Sequence, residues 1–434
     1  MAGSGYLSKS DWIAAGLAFG IALLLYLATL APTVTLEASG QLVVAADHLG
    51  VARPPGYPVW TLLAKGFIGL FPFARYHGHP NPAWAVHLFS ALCGALACGL
   101  LALLTARTAR DLAPSRAIAA VSGVAAGLLF AASPVLWSQA VIAETHALTT
   151  FYFLLLLALS LRWIAAPDAR APFLLAFLAG LGLSVSQLLI LFLPVLLLAA
   201  AFVSLRDFAR LAAAALLFGA FLLAEFTWGR LRPAWGAAGL GLVLALAALL
   251  AIHRATRPVA GLLLLLLAGL LPQLYLPLAS AHNPPMNMGQ AHTWTGFWHV
   301  VGRGQFEALA PLDPFANPLV FLRDLAWYAR LAAAQFTAPL AALALLPALA
   351  LPWLPRPAWP PILLVLAAFL GFAPVVIIGA NPALDIQNTF VLRTAFLPSF
   401  ALLACLIGLA LALLLRALSR LAAPNQPTPE EPRP

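Results

Sequence analysis

The stretch WIAAGLAFGIALLLYLATLAPTVTLEASGQ, residues 12–41, decides how this chain is interpreted. Its first two thirds are apolar and about as long as the 20 or so residues that cross a hydrocarbon core. A polar segment with Glu37 follows at once. Because no small-residue cleavage site precedes Pro32, we predict a retained first membrane span and not a signal peptide. Ionisable groups at the mouth of a membrane bundle are costly and are usually functional.

The rest of the chain repeats the apolar pattern. Apolar residues make up 63%, charged residues 9%, and the mean hydropathy is +0.96, which excludes an ordinary soluble domain. We predict an all-α polytopic membrane protein of about twelve spans. They lie near 12–31, 83–106, 117–133, 147–164, 172–186, 188–205, 211–229, 236–252, 258–279, 336–354, 358–378 and 395–416.

The basic residues predict the orientation. With the N-terminus inside, 14 of the 23 Lys and Arg residues lie on the cytoplasmic side, counting Lys9 and Arg433 of the two termini, which agrees with the positive-inside rule. Both termini are then cytoplasmic and the long loops face outward, which in a bacterial inner membrane means the periplasm. Basic residues form no single patch, so nucleic acid is not expected as a partner. We predict one domain over 1–422 and a disordered cytoplasmic tail over 423–434, rich in Pro and Glu.

Two outer loops, 32–82 and 280–335, are long enough to hold structure of their own. In the first, Val59–Phe71 is too short to span and predicts an interfacial or re-entrant helix held by Trp60 and Lys65. In the second, Asn317–Phe336 predicts an amphipathic surface helix. Glu225, near the end of a span, is expected to pair with Arg230 or Arg232, although a functional role stays open.

The outer loops also contain the residue types that a catalytic site acting on a phosphate and on a sugar or lipid would need. A carboxylate can remove a proton from an attacking hydroxyl, and arginine binds phosphate through its planar fork. Aromatic residues offer surface for a sugar but also anchor a chain at the membrane interface. Histidines and acids show no metal-ligand spacing, so no metal cofactor is expected. The acids, arginines and aromatic residues of the outer loops that could form such a site are Glu37, Asp47, Arg53, Arg303, Arg393, Trp294, Trp298 and Phe306.

Four segments in order resemble the transmembrane O-mannosyltransferase-like family of the GT-C class of membrane glycosyltransferases. The first is Thr33–Leu42, reading TVTLEASGQL, with Pro54-Pro55-Gly56-Tyr57-Pro58 after it. The others are Trp137–Glu144 (WSQAVIAE), Leu276-Pro277-Leu278 with Asn283–Asn287 (NPPMN), and Asn381–Gln387 (NPALDIQ). The resemblance implies a GT-C-like bundle, a polyprenyl- or dolichyl-phosphate sugar donor, and transfer to a Ser or Thr hydroxyl.

The resemblance also implies roles for particular residues. Glu37 occupies an acid position of the first motif and is the candidate general base. Tyr57 lies in the same motif, Glu144 and Asp385 match later acids, and Arg393 matches an arginine before the last span. The predicted partners are therefore membrane lipid, a lipid-linked hexose such as mannose, and a protein or peptide acceptor. The candidate substrate-binding residues are Arg53, Tyr57, Glu144, Trp298, Arg303, Asp385 and Arg393.

Several positions depart from the family pattern, and they leave two alternatives open. Ala38 and Gln41 stand where the family has Asp and Glu, Arg53 where a His is common, and Gln290 where an Asp is expected. Ser186-Gln187 replaces an Asn-His pair. One alternative is a catalytically impaired relative that binds a lipid-linked sugar or escorts a partner. The other, a flippase or transporter, would need charges along the spans and ranks last.

Overall fold

The computed structural model describes residues 6–304, 318–380 and 384–422. This part of the chain is predominantly α-helical, as the sequence predicts, with a short antiparallel hairpin of β1 (Arg75–Tyr76) and β2 (His79–Pro80) in the first long loop. The predicted disordered tail, residues 423–434, lies outside the described residues, as do Phe306 and Asn317.

The first half of the bundle contains ten α-helices, several of which begin at serine caps or at proline. Ser8 forms a capping box with Asp11 at the start of α1, and Ser204 accepts from the Asp207 N–H at the start of α10, so that two orphan helix donors are satisfied. The helices are α1 Lys9–Ala28, α2 Ser39–Asp47, α3 Pro58–Leu70, α4 Pro82–Ala109, α5 Arg116–Ala131, α6 Pro134–Ala140, α7 His146–Ala165, α8 Ala171–Val185, α9 Phe192–Val203 and α10 Leu205–Thr227.

The second half is more broken than the first. Short helices and 3-10 turns such as Leu271–Leu274 and Arg393–Phe396 interrupt the apolar runs. The helices are α11 Pro233–Ile252, α12 Arg257–Ala268, α13 Tyr275–Ala281, α14 Trp294–Val301, α15 Pro318–Phe336, α16 Ala338–Leu343, α17 Leu346–Ala350, α18 Trp359–Phe372, α19 Pro374–Ala380, α20 Ile386–Leu392 and α21 Leu397–Ala422.

The protein is an integral membrane protein, and eight helical segments of the described chain are long and apolar enough to cross a bilayer. Each coincides with a predicted span. The other four predicted spans correspond to two bent pairs, Arg116–Ala131 with Pro134–Ala140 and Pro318–Phe336 with Ala338–Trp353, and to two shorter helices, Ala171–Val185 and Gln187–Val203. Apolar composition therefore located these segments, but it did not reveal their bends of 68° and 110°.

Helix α4 forms the centre of the bundle and packs against α1, α5, α7 and α21. Small residues allow the backbones to approach. A Cβ at Gly123 of α5 would lie 2.5 Å from the Ala102 carbonyl oxygen of α4, and one at Gly127 would lie 2.8 Å from that of Cys98. Such contacts let membrane helices gain packing energy where the hydrophobic effect between them is absent.

The short helix expected over Val59–Phe71 is present as α3, although its anchoring differs from the prediction. Trp60 is fully buried, and its indole N–H donates to the Glu144 carbonyl oxygen at 3.2 Å. Lys65 donates to the backbone carbonyl of Asp47. Trp60 therefore ties α3 to the bundle interior, because its indole meets a buried carbonyl acceptor there.

The helix expected over Asn317–Phe336 is present as α15 from Pro318 onward. Its inward face is partly polar. Asp324 is fully buried, and the buried Tyr328 hydroxyl donates to Ser399 Oγ of α21 at 2.8 Å. The helix is thus docked on α21 by a buried hydrogen bond.

The predicted pairing of Glu225 with Arg230 or Arg232 is wrong for the described residues. Glu225 is 7% exposed, and its carboxylate faces glycines: a Cβ at Gly229 would lie 2.3 Å from one oxygen, and one at Gly239 would lie 2.5 Å from the other. The glycines leave room for the carboxyl group between α10 and α11. Arg232 instead lies over the Trp235 ring, 5.3 Å from its centroid.

Candidate active site

The segment that carries Glu37 is held at both ends by one buried histidine. His87 of α4 lies with Nδ1 2.9 Å from the Ala31 carbonyl oxygen and Nε2 3.4 Å from Ser39 Oγ. A carbonyl can only accept, so Nδ1–H donates to it, and in the neutral ring Nε2 accepts from the serine hydroxyl. Asn81 adds a hydrogen bond to the Pro32 carbonyl oxygen at 2.7 Å. The first motif is therefore a clamped loop.

Glu37 stands in the middle of that loop in an unusual backbone conformation. Its φ of 65° is uncommon for a residue with a side chain, and such strain is tolerated only where the surroundings enforce it. The carboxylate accepts from Gln139 Nε2 at 3.2 Å and lies 3.9 Å from Arg393 Nη2, with about a quarter of each side chain exposed. The base candidate is therefore held but not enclosed.

Arg53 meets a different acid. Its Nη2 donates to Glu144 Oε2 at 2.9 Å, and the Glu144 side chain is only 2% exposed. After Arg53 the chain turns sharply through Gly56, whose φ is 94°. A side chain there would clash, since a Cβ would lie 2.6 Å from Leu276. The Pro-Pro-Gly motif is thus a backbone device that aims Arg53 at Glu144.

Glu144 joins several elements at the base of the site. Burial raises the pKa of its carboxyl group above the usual range, while the Arg53 guanidinium and the backbone N–H groups of Thr145 and Ala38 act to lower it. His146 Nε2 lies 3.8 Å from the same carboxylate. Because Glu144 is buried and already bonded to Arg53, it serves to position Arg53, and the structure does not present it as a free substrate ligand.

These groups line one cavity of about 500 Å³. Its lining includes charged and hydroxyl-bearing side chains together with apolar side chains, most of which come from α20 and the residues after it. The charged and imidazole groups are Glu37, Arg53, Glu144, His146 and Arg303; the apolar groups include Leu188, Phe390, Val391, Leu392, Ala395 and Pro398. Tyr57 also lines the cavity, as do Ala38, Gln41 and Ser186, three positions at which this chain differs from the family pattern. The cavity could therefore hold a molecule with one polar end and one apolar end.

Two of the predicted site residues lie away from this cavity, and a third stands at its edge. Trp298 packs in an aromatic cluster, 5.1 Å from Phe226 between ring centroids. Asp385 caps α20 by accepting from the Asn388 N–H at 2.7 Å. Arg393 reaches Glu37, as described, and its guanidinium lies 3.9 Å from the Phe390 ring centroid. Neither Trp298 nor Asp385 is placed to contact a substrate in the cavity.

Sequence reasoning did not single out three residues that the structure brings into the site. Gln139 bonds Glu37, His146 lines the cavity, and His87 clamps the loop. Gln139 lay inside the second motif and His146 two residues past its acid, so proximity to the motif was an available signal for both. His87 gave no signal, because a lone histidine in an apolar helix is usually a satisfied core residue.

Within 6–304, 318–380 and 384–422, no three His, Cys, Asp or Glu side chains lie together as a metal site would require. The expectation of a metal-independent site stays a prediction.

The chain matches known proteins mainly through its first half. Residues 38–207 match the family described as the N-terminal domain of protein O-mannosyl-transferase TMEM260. The protein O-mannosyl-transferase of that name from Mus musculus is 36% identical over 158 residues, which is 36% of this chain and 20% of the relative. The relative from Dictyostelium discoideum is 25% identical over 198 residues, 43% of this chain and 23% of its own length. The chain thus spans about a fifth of these relatives.

Two solved structures align over most of the chain at low identity. ArnT from Cupriavidus metallidurans bound to undecaprenyl phosphate aligns with a TM-score of 0.49 and 15% identity, over 93% of this chain and 60% of that one. The Archaeoglobus fulgidus oligosaccharyltransferase in complex with Zn and sulfate aligns with a TM-score of 0.42 and 16% identity, over 94% and 51%.

Proposed function

We propose that this chain is a member of the transmembrane O-mannosyltransferase-like family and a membrane glycosyltransferase that moves a hexose from a polyprenyl-phosphate donor to a Ser or Thr hydroxyl of a polypeptide. The observation that carries the proposal is the cavity itself. Its lining includes a held carboxylate, Glu37, and the guanidinium groups of Arg53 and Arg303, and Arg393 pairs with Glu37 at its edge. The family resemblance indicates glycosyl transfer as the reaction class. The structure indicates which carboxylate and guanidinium groups would carry it out.

The balance of charge around the cavity favours a donor with a single negative charge. Arg53 is matched by Glu144 at 2.9 Å, and Arg393 by Glu37 at 3.9 Å. Arg303 lines the cavity, and in the described chain its side chain makes no ion pair. One uncompensated guanidinium suits a phosphodiester, which carries one charge, better than a diphosphate, which carries more.

The apolar wall suits the lipid end of such a donor. Phe390, Val391 and Leu392 of α20 and Leu188 before α9 face the cavity. An isoprenoid chain gains free energy by lying against such side chains, and the phosphate would bind the guanidinium groups of the same cavity. The donor therefore fits with its lipid toward α20 and its sugar toward Glu37.

The reaction follows as one displacement. Glu37 removes the proton from the acceptor hydroxyl, whose oxygen forms a bond to the anomeric carbon of the sugar. The bond from that carbon to the phosphate oxygen breaks, and its electron pair leaves with the lipid phosphate. Arg303 and Arg393 stabilise the charge that develops there. Attack opposite the leaving group inverts the anomeric centre.

The ion pair between Glu37 and Arg393 links donor binding to the proton-transfer step of the reaction. In the empty site Arg393 Nη2 lies 3.9 Å from the Glu37 carboxylate. A donor phosphate competes for the same guanidinium group, and its binding releases the carboxylate for contact with the acceptor hydroxyl. Donor binding thus prepares Glu37 for proton transfer.

The sugar is proposed to be mannose or another hexose, and the active face is proposed to be periplasmic. The orientation follows from the distribution of basic residues.

The test uses the purified full chain in bilayer nanodiscs with radiolabelled polyprenyl-phosphate mannose and a randomised pool of short serine- and threonine-containing peptides. Transfer of label to peptide with inverted anomeric configuration is the expected result. Donor binding without transfer would instead support the catalytically impaired relative. In sealed vesicles, movement of the donor across the bilayer without transfer would support the flippase.

A further inference from the structure

A second concavity is formed by residues that precede Arg303 of the candidate active-site cavity in the sequence. It has a volume of about 580 Å³ and is formed by residues 287–299, in the loop before α14 and on one face of that helix. We call it the α14 groove. Its polar lining residues are Asn287, Gln290, Thr293, Thr295 and His299.

The α14 groove is fixed to the loop that carries Arg53. Val51 forms a parallel bridge with Asn287, in which the Val51 N–H donates to the Met286 carbonyl oxygen at 2.8 Å and the Met288 N–H donates to that of Val51 at 3.2 Å. Ser280 Oγ fixes the Asn287 side chain by donating to Oδ1 at 2.7 Å. The groove and the catalytic loop are therefore parts of one rigid unit.

The floor of the groove is exposed backbone. Gly289 has a φ of 71° and Gln290 one of 49°, so the chain turns tightly before α14. A Cβ at Gly296 would lie 2.1 Å from the Gln290 carbonyl oxygen. Glycine is required there because the helix passes directly against the turn.

The segment at the end of α14 contributes a residue to the groove and a residue to the cavity. His299 lines the groove, and Arg303, four residues later, lines the cavity. A Cβ at Gly304 would lie 2.3 Å from His299 Nδ1, so the chain folds back beside the histidine on its way from one concavity to the other. A ligand in the groove would reach toward the sugar end of the cavity.

The chemistry of the groove indicates its ligand. Its described lining holds no arginine, lysine or carboxylate and no large apolar side chain, so it suits neither phosphate nor a lipid tail. Gln290, Thr295 and His299 are exposed and make no side-chain hydrogen bond to another described residue. Amide, hydroxyl and imidazole groups complement the N–H and C=O groups of an extended polypeptide.

We propose that the α14 groove binds the polypeptide backbone beside the acceptor hydroxyl and so presents that hydroxyl to Glu37. The inference rests on the proposed function, which requires a polypeptide acceptor. It adds a recognition surface outside the reacting cavity, formed by Gln290, Thr295 and His299.

The first experiment measures peptide kinetics. The triple variant Gln290→Ala, Thr295→Ala, His299→Ala should raise the KM for the peptide pool about tenfold or more, as expected for the loss of two or three hydrogen bonds. The KM for the labelled donor should not change. The matched control is Thr227→Ala with His282→Ala, because both residues lie outside the groove. An unchanged peptide KM, or a raised donor KM, in the triple variant would overturn the proposal.

The second experiment does not need turnover, so it separates failure of the groove from failure of the proposed function. The three native cysteines, Cys93, Cys98 and Cys405, are buried, and Thr295→Cys supplies an accessible thiol in the groove. Excess peptide pool should slow maleimide labelling at this position several-fold, but it should not slow labelling in Ser419→Cys, at the far end of α21. Equal rates with and without peptide, or protection by neutral oligosaccharides and not by peptides, would contradict a polypeptide site.

Discussion

Two ion pairs in and beside the candidate active-site cavity differ in their distance and in their burial. Arg53 and Glu144 are 2.9 Å apart with the carboxylate buried, whereas Arg393 and Glu37 are 3.9 Å apart with both side chains partly exposed. A short, buried pair fixes its partners in place. A long pair that water reaches contributes at most about 1 kcal/mol and can be exchanged for a better partner. One pair is therefore a support, and the other is poised to open.

The largest expected loss of transfer rate comes from a substitution in the Glu37–Arg393 pair. Glu37→Gln keeps the shape and one acceptor oxygen of the side chain but cannot take a proton. Transfer should fall by roughly 10²–10⁴, the usual contribution of a general base. Initial rates of transfer from labelled polyprenyl-phosphate mannose measure it, with Asp47→Asn as the matched control because Asp47 lies in the same loop and bonds Lys65 instead. Comparable losses in both variants would remove the special role of Glu37.

A smaller effect is expected from the clamp that positions Glu37. His87→Ala removes the links to both Ala31 and Ser39, so the loop loses its fixed geometry and turnover should fall about tenfold. Donor affinity should change little, since His87 does not line the cavity. His87→Asn keeps an N–H near the position of Nδ1 and should restore part of the turnover.

The control for the clamp is Cys93→Ala, also buried in α4. Loss of donor affinity in parallel with turnover in His87→Ala would indicate general misfolding, and it would contradict a positioning role.

The smallest effect concerns the pair that serves as a support. Because burial raises the pKa of Glu144, its contribution to stability is full below the ordinary carboxyl pKa of 4.5 and is lost as the pH rises through the raised value. Glu144→Gln does not titrate. The thermal midpoint of the wild type should therefore fall relative to this variant, on the order of 2 °C, between pH 4 and pH 8. Parallel midpoint curves would contradict a raised pKa.

The Glu144→Ala variant distinguishes the effect of the hydrogen bond to Arg53 from the effect of the carboxylate charge. It leaves Arg53 without its acceptor, which costs about 1–3 kcal/mol, and should lower the thermal midpoint at every pH. A midpoint equal to that of Glu144→Gln would show that the hydrogen bond to Arg53 does not stabilise the fold.

The sequence predicted the helical membrane fold, and its motifs include several residues of the cavity lining, but it did not predict which acid pairs with which arginine. Apolar length located the spans because burial in lipid leaves a one-dimensional signal. The motif located Glu37, Arg53, Tyr57 and Glu144, which all line the cavity. Which acid meets which arginine depends on how the 31–57 loop packs on α4 and α7, and no local pattern encodes it.

The predictions for Trp298 and Glu225 also failed to anticipate contacts between distant parts of the chain. Trp298 and Glu225 were read from residue type, an aromatic for sugar stacking and an acid near two arginines. The structure instead places Trp298 among other aromatic rings and Glu225 against glycines from α11. Both outcomes are set by contacts between helices distant in sequence.

The most direct test of the account compares donor affinity in Glu37→Gln and Arg393→Gln. The measurement is equilibrium binding of labelled polyprenyl-phosphate mannose to each purified variant in nanodiscs. If the phosphate displaces Glu37 from Arg393, Glu37→Gln should bind the donor at least as tightly as the wild type although it does not transfer the sugar, and Arg393→Gln should bind it about tenfold more weakly or worse. Weakened donor binding in Glu37→Gln, or unchanged binding in Arg393→Gln, would contradict the exchange on which the mechanism depends.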